Sequence, residues 1–164
     1  MRQIAWLCVV AGVFGCKSFE DYQNGKKRSE ASLQLNRLAK YAKVYWVTNN
    51  AFPVGTAKPL PPGGDGTAGK GCCGAKSNGS TVDNKCPVSA EWGKDPVWNA
   101  LDFQIDDPSQ YVYHFEATSA TSFTATAEGD LDCDGETANY TLTGTVDSKG
   151  NITTSITPPP KGKY

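Results

Sequence analysis

An α+β fold, with a long N-terminal α-helix packed on a four-stranded antiparallel β-sheet, is what this sequence predicts. Three observations carry the prediction. Residues 18–50 hold no Pro and are dense in helix formers. Residues 53–90 shift to Gly, Pro, Ser, Lys and Asn, as in PLPPGGDGTAGKG and CCGAKSNGSTVDNKCP. After Pro108 the pattern changes to period two, in segments rich in aromatic, β-branched and Thr residues.

The chain begins with Met1-Arg2 and an apolar run, IAWLCVVAGVFG, of about 12 residues, whereas a membrane-spanning helix needs ~20. A charged start, a short apolar core and small residues before a cut site are the parts of a secretory signal peptide, assigned to residues 1–15. Residues 16–164 then form a single domain. Val13-Phe14-Gly15-Cys16 resembles the bacterial lipobox, which makes Cys16 the lipidation candidate and the first mature residue. Phe14 stands where that pattern carries a small or hydroxyl residue. The expected location is outside the cytoplasm, on a membrane through a lipid anchor, facing periplasm or cell surface.

Within the helix, Ala31, Leu35, Leu38, Ala42 and Tyr45 recur at steps of four and three, which sets them on one face that must be buried. Arg37, Lys40 and Lys43 fall between them, and Asn49-Asn50 before Phe52-Pro53 is the stop signal. Asn24 and Gly25 mark a kink or the start of the stable helix.

A loop as long as 53–90 is uncommon in a compact domain unless it is functional or stapled. Without Cys8 in the leader and Cys16, four cysteines remain: Cys72, Cys73, Cys86 and Cys133. An even set in an exported chain predicts two disulfides. Bonding Cys72 to its neighbour Cys73 would strain the ring, so one bridge reaches Cys86 and the other Cys133. Which of the adjacent pair takes which partner is open. The spacing lacks a C-x-x-C knuckle, which argues against zinc.

Asp95-Pro96 is an N-cap followed by Pro at the first helical position, starting a short helix at 95–101. The sheet occupies 111–156, with strands at 111–115, 122–127, 137–143 and 152–156 in sequence, an antiparallel meander. His114, the single His, alternates with Tyr113 and Phe115 and is a surface or packing residue.

Sixteen Lys+Arg against 17 Asp+Glu, a net charge of −1, make no basic field for nucleic acid. One His removes most His-based metal and nucleophilic sites. No G-x-S-x-G, P-loop or dinucleotide fingerprint occurs, so no enzyme activity and no required cofactor are expected. Asp130-Leu131-Asp132-Cys133-Asp134-Gly135-Glu136 opens like a D-x-D-x-D-G calcium loop, making Asp130, Asp132, Asp134 and Glu136 candidate Ca2+ ligands. The twelfth loop position is Thr141, where an EF-hand has a bidentate Glu, and the flanks read as strands. A bare acidic turn pinned by a disulfide is the competing reading.

The segments FEDYQ (19–23) and KRSEA (27–31), the helix end LQLNRLAKYAKVYWVTNNAFP, and later CPVSAEWGKDPVWNALDFQIDDPSQYVYHFEA and FTATAEGDLDCDG resemble type IV pilins and type II secretion pseudopilins, over about Phe19 to Thr143. The front departs from that family: there is no Glu at the fifth mature position and no apolar helix of membrane length, and Cys16 lies where that helix would be. The resemblance implies a pilin-like domain tethered by lipid. Its role would be structural or accessory in a pilus or pseudopilus, in protein secretion or in adhesion, with pilin, pseudopilin or secretion-system proteins as partners. It also makes calcium in the sheet region an expectation. The alternative is a secreted binding module gripping a ligand or polysaccharide through the Gly/Pro/Cys loop and exposed aromatics, with its pocket expected near Trp92 and Trp98.

Overall fold

The computed structural model of the chain describes residues 14–63, 71–74, 76–77, 80–81 and 84–160. The leader assigned to 1–15 falls almost wholly outside the described residues, and so does the side chain of Cys16.

Helix α1 runs without interruption over Phe14–Asn49. It starts earlier than the expected 18–50, so Gly25 is not its start. A lone glycine in an exposed helix costs about 1 kcal/mol relative to Ala, less than one buried leucine returns. Ala31, Leu35, Leu38 and Ala42 are all 0% exposed, as their spacing requires. Asn50 ends the helix in a left-handed conformation, φ 54°, which Asn tolerates better than most residues. Its N–H donates to the Trp46 carbonyl at 2.7 Å.

Strands β1 (Gly55–Thr56), β4 (Val112–Ser119), β5 (Ser122–Gly129), β6 (Ala138–Val146) and β7 (Ile152–Thr157) form one sheet in the order β1-β4-β5-β6-β7, every pair antiparallel. A two-strand hairpin of β2 (Lys76–Ser77) and β3 (Ser80–Thr81) lies within the loop. The main sheet therefore has five strands and not the four expected. The extra one is β1, two residues too short to show a period, placed opposite Ala117 and Glu116 of β4. Backbone groups on the outer edge of β4 need partners, and the chain leaving α1 supplies them: Ala57 N–H donates to Phe115 O at 2.8 Å, and Leu60 and Tyr113 exchange bonds of 3.0 and 2.7 Å.

The inward face of the sheet alternates large and small residues in register. Phe115 lies opposite Ala125, which lies opposite Leu142. Tyr113, Ala127 and Tyr140 make the next row, and Phe123 sits over Gly144. A Cβ at Gly144 would come within 2.0 Å of the Phe123 ring, so glycine there makes room for it. Small side chains on β5 let α1 approach the centre of the sheet, with Leu35 and Leu38 in the core.

A 3₁₀ turn (Trp92–Lys94) and helix α2 (Pro96–Ala100) close one side of this core. Asp95 caps α2 as expected, its Oδ1 accepting from Val97 N at 2.9 Å and Trp98 N at 3.0 Å. His114 lies on the opposite face, half-buried, with Nε2 3.6 Å from a Glu128 carboxylate oxygen.

Candidate functional site

The acidic residues, the four cysteines and the helix meet at one end of the molecule. Two disulfides, Cys72–Cys86 and Cys73–Cys133, are formed, so the adjacent cysteines diverge. Cys72 and Cys86 pack on Val112, on the sheet face away from α1. Cys86 also exchanges backbone bonds of 2.7 and 3.0 Å with Ser109. Gly71 lets the stapled segment lie against the β5–β6 turn; its φ is 55°, and a Cβ there would meet Asp130 N at 2.6 Å. Disulfides of this kind belong to a chain that folds in an oxidising environment, as exported chains do.

Asp130 is only 4% exposed, and both of its oxygens are used by the turn itself. Oδ1 accepts from Cys133 N at 2.7 Å and Oδ2 from Gly135 N at 2.9 Å. These bonds hold Cys133 and Gly135 at positive φ, 64° and 92°. The carboxylates of Asp130, Asp132 and Asp134 offer oxygens within 4.8 Å of one another; Glu136 is not in that group. Three residues could begin a hard-oxygen shell, but calcium takes six to eight oxygens. Cys73 and Cys133 lie beside the acids, yet as a disulfide they offer no thiolate. Because Asp130 organises the turn, Asp130→Ala is expected to cost about 2–3 kcal/mol by leaving N–H groups unpaired. Asp132→Ala and Asp134→Ala, at exposed positions, are expected to stay within about 0.5 kcal/mol in metal-free buffer. Urea unfolding of the three variants checks this ordering.

Helix α1 grips the same end at two points. Lys27 Nζ donates to the Leu131 carbonyl at 2.7 Å. One turn on, Glu30 Oε1 accepts from Ser109 Oγ at 2.7 Å and from Gln110 N at 3.0 Å. Sequence reading missed Glu30, whose partners lie 79 and 80 residues away. Burial raises the Glu30 carboxyl above its ordinary 4.5, opposed by its bonds to Ser109 and Gln110 and by Lys85. Burial likewise pushes the neighbouring Tyr111 and Tyr113 phenols well above their usual range.

A raised folded-state value means that the fold holds this proton more tightly than the unfolded chain does. The stabilisation is complete below about 4.5 and is lost as pH rises through the folded value. Glu30→Gln, whose amide oxygen can accept both bonds, is expected to flatten that fall in thermal stability. Glu30→Ala is expected to cost about 1–3 kcal/mol at low pH by stranding its donors, and less as pH rises through the folded value. Melting temperatures from pH 4 to 8 test both; parallel curves for Glu30→Gln and the parent chain would refute the first.

The two Trp beside which the binding-module reading sets its pocket are not exposed. Trp92 and Trp98 are 2% and 0% exposed and stack edge-on at 5.1 Å, with Phe103 against both. The space beside them is small, about 30 Å³. Large apolar side chains bury wherever the core has room, and sequence alone did not separate these from surface ones. On α1, Leu33, Val44 and Val47 are exposed, along the side opposite the buried face. No described helix is long and apolar enough to cross a membrane.

Comparison with known protein families, curated proteins and solved structures finds no match.

Proposed function

We propose that this chain is a non-enzymatic, pilin-like envelope protein, a structural or accessory component of a type IV pilus or type II secretion pseudopilus. In this reading it is exported, tethered through lipid on Cys16 and acts by protein–protein contacts. The observation that supports it best is the long helix. One face is buried on an antiparallel sheet, and the other carries Leu33, Val44 and Val47 in the open. Exposed apolar side chains in line on a helix are a contact surface more readily than a catalytic one. The binding-module alternative keeps the Gly/Pro/Cys loop but finds Trp92 and Trp98 buried.

Two measurements test this. Intact mass of the protein purified from its native envelope is expected to begin at Cys16 with added acyl mass; a chain cut elsewhere without lipid sinks the tether. Photo-crosslinkers at Leu33 and Val47 are expected to capture pilin or secretion components, whereas labelling indistinguishable from that at Lys94 counts against the assembly role. Calcium at Asp130, Asp132 and Asp134 is a candidate ligand within the same reading. Binding is expected to raise the melting temperature in millimolar calcium over chelator, and Asp132→Ala with Asp134→Ala to abolish the rise.

A further inference from the structure

Strand β7 ends the sheet, and among the described residues no strand pairs with its outer edge. Which of its backbone groups are free follows from β6. Val146 N–H donates to Thr121 O, on the β5 side. Alternation along β6 therefore turns Thr145, Thr143 and Thr141 toward β7, where they pair with Thr153, Ser155 and Thr157. The bond from Asp147 N to Asn151 O, at 3.0 Å in the connecting turn, fits the same phase. Ile152, Thr154 and Ile156 thus direct their N–H and C=O outward.

Edge strands usually carry a guard: a charge, a proline or a bulge. Here the six residues ITTSIT have no charge and no proline, and the β6–β7 register has no shift, unlike that of β4–β5. We propose that β7 pairs with β7 of a second copy of this chain, antiparallel across a two-fold axis at Thr154, so that two five-stranded sheets become one. The sequence is self-complementary in that register. Ile152 meets Ile156 of the second copy, Thr154 meets Thr154, and Thr153 meets Ser155, so apolar faces apolar and hydroxyl faces hydroxyl. The outward-facing residues are also the ones this register hydrogen-bonds. This inference does not depend on the pilin-like reading.

An edge alone buries little area, and the pair is expected to be weak, with Kd of about 10 µM to 1 mM. The test is sedimentation equilibrium of the full-length chain in mild detergent from about 1 µM to 1 mM, with amide exchange followed at β7. A monomer–dimer equilibrium is expected, with the Ile152, Thr154 and Ile156 amides protected as concentration rises. Thr154→Pro, at an outward N–H where an edge strand tolerates proline, is expected to weaken pairing at least about tenfold. Thr153→Lys combined with Ser155→Lys keeps every backbone bond but opposes like charges across the axis, and should weaken pairing similarly. A monomer throughout the range overturns the proposal. So does a dimer that withstands the double-lysine variant, or one that leaves those three amides unprotected.

Discussion

Trp98→Ala is expected to remove a large share of the domain's stability. Trp98 is fully buried, its ring packed against Trp92, Phe103 and Phe115 at centroid distances of 5.1, 5.4 and 6.1 Å. Its indole N–H donates to the Lys58 carbonyl at 2.7 Å, tying α2 to the segment that borders β4. Truncating a buried Trp typically costs about 3–5 kcal/mol, against a total stability of about 5–15 kcal/mol for a domain. Trp98→Phe keeps much of the volume and gives up the hydrogen bond, and should cost clearly less. Urea unfolding followed by far-ultraviolet circular dichroism separates the two. A loss under about 1 kcal/mol for Trp98→Ala would mean that this cluster is not the centre of the core.

The second large effect is expected from the disulfides. Cys73–Cys133 closes a separation of 60 residues and Cys72–Cys86 one of 14. Chain entropy alone assigns about 4 kcal/mol to the first and about 3 kcal/mol to the second. Replacing each pair by serine avoids leaving a thiol to rescramble. The Cys73→Ser, Cys133→Ser variant should melt roughly 10 °C lower than the parent, with new proteolysis in the β5–β6 turn. A larger loss for the Cys72, Cys86 variant would show that burial of that bridge against Val112 outweighs loop length.

How far the sequence was legible depends on the range of the interactions involved. The buried face of α1 was readable because Ala31, Leu35, Leu38 and Ala42 repeat with the helix, and β4 to β7 because their residues alternate. Those are local signals. β1 has only two residues and exists because β4 has an open edge beside it, so nothing in Gly55-Thr56 itself announces a strand. Glu30 reads as one more charge on a helix until folding brings Ser109 and Gln110 to it. The acidic turn was visible as a motif, but its spacing did not distinguish a ligand from a buried acceptor. Asp130 proves to be the acceptor, since the turn at Cys133 and Gly135 points their N–H groups at its carboxylate. Adjacency narrowed the cysteine pairing and stopped there, because Cys72 and Cys73 differ by one position and only the packing of Cys72 beside Val112 tells them apart.

The Cys73–Cys133 bond also changes what the molecule does under load. If tension enters through α1 and leaves through β7, the covalent path runs from Cys73 directly to Cys133 and skips the 60-residue separation between them. At about 3.4 Å per extended residue, roughly 200 Å of contour length is withheld from stretching. All of β4, all of β5 and helix α2 lie inside that bypass and carry no tension along their own backbone. A pulled chain would yield first at its ends, while the middle of the sheet stays slack.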